Sequence, residues 1–476
     1  MLGSWRTLLC LSTGFTLFIC HGLALGQIGG GSGANKPTNT KPGPTLTPPS
    51  GTSPSGTSTT QPQDSTTAPK DPDVEKAMEA FKKGDLKACL DILQDAAKRR
   101  PELPPAKLML ARICAEANLL QQSRNYLEQS AVENPDHPDI YITMGNIALS
   151  EGRLTDAYLH YREGMDVIKK GTWNDTQKKF VKLNCLAGMA AVAEGRATWD
   201  KANEYLKQAI DLEPKNGRLR QRYARSLFMI EKRDEAANEF EKAVKDDPTL
   251  EPAGITLARL YSQVNNQTKA EEWFQYSAKQ EPNNLKVRLG YANWLVDLSR
   301  YDDARKQINE ALRIDSKSPD ARSLLAYVHR VQKNYPEAER IFDELVKEFP
   351  NNLYVANQLN LVLISQPDDA KRRRAMESAE ALLKKHSNDV ELATTMAWVL
   401  YKMNRTEEAE KILESIARAT GGRITSDGAY YMANVYADRG KLDQVRLMLK
   451  GAIDSPGRFA FRKDAEDWYR AIEKKP

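Results

Sequence analysis

Beyond the first 26 residues the chain carries four histidines, His137, His160, His329 and His386, the side chains best suited to proton transfer or metal ligation. None stands in an HExxH pattern or pairs with a second histidine. His160 and Glu163 lie one helical turn apart, but two donors do not make a metal site and a solvated helix face is the plainer reading. Cys89, Cys114 and Cys185 are an odd number at unrelated spacings, which is neither a disulfide framework nor a CxxC motif. Walker loops and GxSxG elbows are missing, and the run Gly29 to Gly33 follows no strand, so it is no phosphate cradle. The residues therefore predict no catalytic constellation, no metal and no cofactor.

The elements that could position a binding face announce themselves through proline. Pro101 and Pro135 are 34 residues apart, Pro214, Pro248 and Pro282 repeat that step, and Pro350 follows at twice the interval. Small residues recur at fixed offsets before them: Ala77, Cys89, Ala96, Pro101; Ala111, Ser123, Ser130, Pro135; Ala224, Ala236, Ala243, Pro248; Ala258, Ala270, Ser277, Pro282. A fixed period of this length means stacked helical hairpins. A small side chain at the crossing lets two helix axes approach. Phe240 covers the Ala224/Ala236 pair, Ala243 admits the next hairpin, and Pro248 ends the second helix because it cannot donate and disfavours helix before it.

This pattern resembles the tetratricopeptide repeat family. With it as template the chain reads as all-α, a right-handed superhelical solenoid of about eleven helix-turn-helix units. They start near residues 70, 104, 138, 172, 217, 251, 285, 319, 353, 390 and 426. Gly145, Ala157 and Gly164 fit without a proline. Gly188, Ala202, Ala209 and Pro214 require an insertion at 195–200, with further residues around 171–177. The unit near 353 is the most degenerate, with Asn360 in a small-residue slot and an insertion around 366–374. Phe461, Ala465, Trp468, Tyr469 and Ile472 at helical spacing predict a capping helix with charged residues opposite.

The resulting organisation is a signal peptide over 1–26, a linker over 27–72, the repeat array over 73–457 and a capping helix over 458–476. Arg6, the apolar stretch from Leu8 to Ile19 and Ala24-Leu25-Gly26 read as a secretory signal cleaved after Gly26. An uncleaved anchor is the alternative, since Leu8 to Leu25 just reaches spanning length. The linker is almost wholly Gly, Ser, Thr, Pro, Asn and Gln, too poor in apolar surface to offset its ordering entropy, and permits O-glycosylation. Sequons at Asn174, Asn266 and Asn404 would matter only in a glycosylating pathway. Cys89 occupies a small-residue slot as a buried thiol; a bridge to Cys114 is the alternative in an oxidising compartment. A net charge of +5 on 476 residues, with 28% charged side chains of mixed sign, shows no basic stripe and argues against nucleic acid.

Members of the family usually bind extended peptides or partner helices on the first helix of each pair. The resemblance places Arg218, Gln221, Arg225, Phe228 and Met229 on that face, followed by Arg259, then Lys286 and Asn293. Arginines over an apolar floor would take an acidic segment or a free C-terminus; ordinary solvated charges are the alternative. Trp398, Tyr401, Tyr430 and Asn434 form a second candidate surface, either as exposed anchors or as core. The carboxylate clamp of the chaperone-binding members does not carry over, because Asn146 and Asn293 lack the accompanying lysines. The run Lys371-Arg372-Arg373-Arg374 is either a contact for anionic lipid or polymer, giving peripheral envelope association, or a solvated helix start. The sequence thus predicts an exported, periplasmic, surface-associated or secreted non-enzymatic scaffold for a partner protein. The alternative is an accessory subunit of an envelope enzyme or transport machine that holds cell-wall or other polymer.

Overall fold

A computed structural model of the chain describes residues 72–100 and 103–473. The expected signal peptide, and the linker apart from Pro72, lie outside the described residues, as does Pro101 of the proline lattice. Regular structure among the described residues is entirely helical, in 23 helices. Two compact units divide at Thr256/Leu257.

The first unit holds five hairpins: Pro72–Lys82 (α1) with Leu86–Arg99 (α2), Ala106–Glu116 (α3) with Leu120–Glu133 (α4), Pro138–Ser150 (α5) with Leu154–Lys170 (α6), Asp175–Gly195 (α7) with Trp199–Leu212 (α8), and Gly217–Met229 (α9) with Arg233–Asp246 (α10). The boundary falls inside Ala253–Gln263 (α11), which is followed by Gln267–Gln280 (α12). The second unit continues with Leu285–Asp297 (α13) and Tyr301–Ile314 (α14), Pro319–Val331 (α15) and Tyr335–Glu348 (α16), and Leu353–Ile364 (α17) and Asp369–Lys385 (α18). Val390–Lys402 (α19) and Thr406–Ala419 (α20), then Ser426–Asp438 (α21) and Leu442–Asp454 (α22), complete the pairs. Arg462–Glu473 (α23) closes the described chain. Eleven pairs and a final helix match the all-α repeat expected from the 34-residue period. Among the described residues no helix is long and apolar enough to cross a membrane.

The small residues sit where close approach demands them: Ala224, Ala236, Ala243, Ala258 and Ala270 are all fully buried. Where the lattice lacks its usual residues, the packing is solved differently. Tyr161 is fully buried between two glycines, and its hydroxyl donates to Asn146 Oδ1 at 2.8 Å. A Cβ built on Gly145 or Gly188 would stand 2.6 or 2.3 Å from that ring. In the degenerate unit Asn360 is only 1% exposed, and the extra residues lengthen α18, whose start is capped by the Asp368 carboxylate accepting from Lys371 N–H at 2.9 Å. Cys89, Cys114 and Cys185 are buried free thiols. Burial, followed by the fields of Cys114 and Asp85, pushes the Cys89 thiol up to about 11, so it behaves as a small apolar residue.

The turns carry a second lattice that proline did not reveal. Ten of the eleven hairpin turns place a residue in the left-handed region: Gly84, Asn118, Gly152, Ala197, Glu231, Asn265, Ser299, Lys333, Asn404 and Gly440. The following amide then reaches back to close the first helix, as Lys232 does to Leu227 at 2.9 Å and Arg300 to Leu295 at 2.8 Å. The α17–α18 connection, which holds the insertion, is the exception.

Two substitutions test these constraints. Gly188→Ala is expected to cost about 1–3 kcal/mol by overpacking against Tyr161, read as an earlier urea midpoint; an unchanged midpoint would show that the ring yields freely. Ala197→Gly removes a left-handed L-residue and is expected to add up to about 1 kcal/mol, visible as a later midpoint, whereas a loss would mean that chain entropy outweighs the strain.

Candidate functional site

In the first unit the candidate face is the solvent-exposed side of α9. Arg218, Gln221 and Arg225 follow one another at spacings of three and four, which puts them on one side of a helix. Arg218 is largely exposed and reaches Asp247 Oδ2 at 3.6 Å, a surface pair of little strength. The Arg225 guanidinium lies 5.6 Å from the centroid of the Trp199 ring at the start of α8. Trp199 also lines an adjoining cleft of about 550 Å³ with Thr198, Lys201, Met229 and Glu231. Phe228 does not form the floor that its position suggested. It is fully buried in the hairpin, and the Arg233 guanidinium covers its ring at 3.8 Å. Arg259 belongs to the second unit, where it is exposed and its charge acts on Asp297. Lys286 is exposed there as well.

In the second unit the first helices of the hairpins, α13, α15, α17, α19 and α21, present polar and aromatic side chains to one another in the repeat register. A non-helical segment, Ser455–Phe461, lies against them before α23 begins. Arg458 Nε donates to Asp297 Oδ1 at 3.0 Å, and its Nη2 donates to Asn293 Oδ1. The same guanidinium lies 5.6 Å over Tyr327, and its charge acts on the Tyr354 hydroxyl against the effect of burial. Further along, the Ala460 N–H donates to Asp427 Oδ1 at 3.1 Å. Phe461 stacks on Tyr430 with ring centroids 4.7 Å apart and meets Trp398 and Tyr431 edge-on at 5.7 and 5.8 Å. Phe459, 2% exposed, packs into a core with Val445, Leu449 and Ala433 and meets the Tyr430 ring edge-on at 6.1 Å.

The capping helix was expected to start at residue 458; it starts at Arg462, because these residues are engaged by the groove. Arg462 ties the segment down, donating to the carbonyls of Ile453 at 2.8 Å and Ser455 at 3.0 Å. Ala465 and Ile472 are buried with the last hairpin, as the capping pattern requires.

Trp398 is 2% exposed and is therefore not a free anchor. Tyr431 stacks on it at 4.2 Å, Tyr401 at 5.4 Å, and Phe461 closes the remaining edge. The two readings of this surface meet: Trp398 lies on the groove helices and is buried partly by the chain's own later residues. Tyr401, Tyr430 and Asn434 are half-buried beside it, with Asn434 Nδ2 donating to the Tyr430 carbonyl at 2.8 Å.

The charge of this groove differs from the expected basic one. Asp297, Glu391 and Asp427 line it, answered by Arg330, which is 6% exposed and 5.3 Å over the Tyr327 ring, and by Arg458. Burial raises the Asp427 carboxyl above its ordinary value against the opposing pull of Arg330 and the Ala460 N–H. Burial also raises Glu391, and the neighbouring charges of Asp389 and Asp427 raise it further.

Sequence reasoning found Asn293, Trp398, Tyr401, Tyr430 and Asn434 but passed over Asp297, Tyr327, Asp427 and Arg458. The 34-residue step from Asn293 to Tyr327 was a signal that could have found part of the set. The run 371–374 is largely engaged within the unit: Lys371 pairs with Glu339 at 2.7 Å, Arg374 with Asp343 at 2.5 Å, and Arg372 donates to the Gln366 carbonyl at 2.9 Å. Arg373 is exposed. Among the described residues no group of three or more histidine, cysteine or acidic side chains is placed to hold a metal ion.

Three family models, each described as tetratricopeptide repeat, match residues 184–317, 289–352 and 368–424. Tetratricopeptide repeat protein 21B of Xenopus laevis is 22% identical over 329 residues, 59% of this chain. The chain spans 25% of that relative's length. Among solved structures, yeast Tom70 is 14% identical with a TM-score of 0.37, over 84% of this chain and 95% of its own. YrrB, a repeat protein of the same kind with an unusual peptide-binding site, is 20% identical with a TM-score of 0.26, over 38% of this chain and 91% of its own.

The carboxylate at Glu391 supplies a test of the groove's electrostatics. A raised pKa means that the folded chain keeps this proton at pH values where the unfolded chain has lost it. The contribution to stability therefore falls as pH rises from the ordinary value of 4.5 through the folded value. Glu391 is itself exposed to solvent, which screens this penalty, so Glu391→Gln is expected to melt only slightly above the native chain at pH 7.5 and together with it at pH 4. Parallel melting curves at both pH values would show that this carboxylate carries no penalty.

Proposed function

We propose that this chain, a tetratricopeptide-repeat protein, is a non-enzymatic scaffold whose first-helix faces grip short segments of a partner protein. The observation that carries this reading lies in the second unit, where such a face already holds a stretch of polypeptide. Side chains from several successive first helices meet it through an ion pair, a backbone hydrogen bond and stacked aromatic rings. Proteins of this repeat family bind proteins and peptides, and the same backbone register recurs along the described chain.

In the first unit the ligand class is acidic. Arg218 and Arg225 stand exposed on α9, and the shallow cleft beside Trp199 could receive an apolar side chain next to a carboxylate. Work in an exported space, at the envelope or secreted, is part of the proposal; it is supported by the Arg6, Leu8 to Ile19 and Ala24-Leu25-Gly26 pattern alone.

Titrating the full chain with labelled acidic peptides, half of them ending in a free carboxylate, tests the reading. The charge reversal Arg218→Glu/Arg225→Glu is expected to weaken binding by at least about tenfold, the equivalent of roughly 1.4 kcal/mol, with melting unchanged. Undiminished binding in the reversed variant would remove α9 from the site, and selective binding of isolated wall polymer in place of peptides would favour the accessory-subunit reading.

A further inference from the structure

The segment that fills the groove of the second unit is built as a ligand on one side and as core on the other. Arg458 and Phe461 make the ion pair and the ring stack with the groove, whereas Phe459 is buried mainly in the core of the last hairpin, with only its edge against Tyr430, and Arg462 ties the turn to the end of α22. The groove contacts can therefore open while Phe459, Ala465 and Ile472 keep α23 docked. They are also partly wet: the Arg458 and Asp297 side chains are 18% and 45% exposed, and the Lys333–Asp464 pair that follows, at 3.0 Å, is 62% and 35% exposed. The exposed Lys333–Asp464 pair holds weakly, and the Arg458–Asp297 pair is open to water on its carboxylate side.

The acidic side chains of the groove meet the resident directly: Asp297 accepts from Arg458 and Asp427 from the Ala460 N–H, while Glu391, exposed at the start of α19, adds negative charge near Asp427. The aromatic floor of Tyr327, Tyr430 and Trp398 suits a guanidinium and a flat ring at fixed separation.

We propose that the groove on α13, α15, α17, α19 and α21 is a binding site for a short non-helical segment of a partner protein that carries an arginine followed three residues later by an aromatic side chain, and that the chain's own Arg458–Phe461 occupies it until such a segment displaces them. This rests on the scaffold reading above, and it assigns the second unit a basic, aromatic ligand where the first unit takes an acidic one. The chain thus regulates its own availability through local competition, in which the tethered resident acts as an intramolecular ligand at high effective concentration.

The experiment uses the full chain and a fluorescent peptide with the sequence of residues 455–464, Ser-Pro-Gly-Arg-Phe-Ala-Phe-Arg-Lys-Asp. The double variant Arg458→Ala/Phe461→Ala is expected to bind it at least about tenfold more tightly than the native chain, because its own resident is gone. Adding Asp297→Lys is expected to abolish that gain, and a peptide with glutamate for arginine and serine for the second phenylalanine is expected not to bind. Should the double variant melt early, Arg458→Ala alone keeps both phenylalanines and is expected to show a gain of the same direction and smaller size. Equal affinity of native and emptied chains, or a gain that survives Asp297→Lys, would overturn the proposal. So would a native chain that dimerises by exchanging this segment, which would make a second copy the occupant. Acidic peptides and the α9 charge reversal report on the first unit alone, so failure of either site leaves the other's result standing.

Discussion

The close approach of paired helices is the constraint on which everything else in this molecule depends. Ala224, Ala236, Ala243, Ala258 and Ala270 bury completely because any larger group would push the axes apart. Once the axes are fixed, the first helix of each pair turns a predictable set of positions toward its neighbours. Distant residues such as Asn293, Tyr327 and Asp427 then share one face although they are far apart in the chain. Repeats of this kind stabilise by contact with the next unit rather than through one central core, which leaves a continuous polar and aromatic face free to evolve ligands.

Much of the fold was legible in the sequence because the period is written in residues with few substitutes. Only small side chains fit the crossings, and proline stops a helix wherever it falls past the first turn. The eleven pairs follow directly. Tyr161 shows where the pattern changes its terms: two glycines and a large ring fill the space that smaller residues fill elsewhere, so the volume is conserved while the residue types are not. The turn lattice was invisible for the opposite reason, since backbone sign is fixed by geometry and not by residue type, and Asn, Ala, Glu, Ser and Lys all accept it.

The candidate site was legible by position and misread by occupancy. Register alone placed Asn293, Trp398, Tyr401, Tyr430 and Asn434 on first helices. What register cannot express is that a later stretch of the same chain would return to cover them. Arg458 looked like the opening of an amphipathic helix, and only its partners, Asp297 and Asn293 more than 160 residues earlier, reveal it as a groove ligand. Phe228 was misplaced for a smaller reason. It stands near the end of α9, where the helix turns its face into the hairpin and Arg233 seals the ring.

The left-handed turn residues bear on how such a chain can change length. From Gly84 to Gly152, and again from Ala197 to Lys333, they stand 34 residues apart, and each is followed by the same capping geometry whatever its side chain. A crossover between two such codons during unequal recombination would delete or duplicate one whole hairpin and leave both new junctions with an intact cap. The array can thus gain or lose ligand-bearing faces in single steps without passing through an unfolded intermediate form, while the α17–α18 connection, which lacks the common turn, is a poor point of exchange.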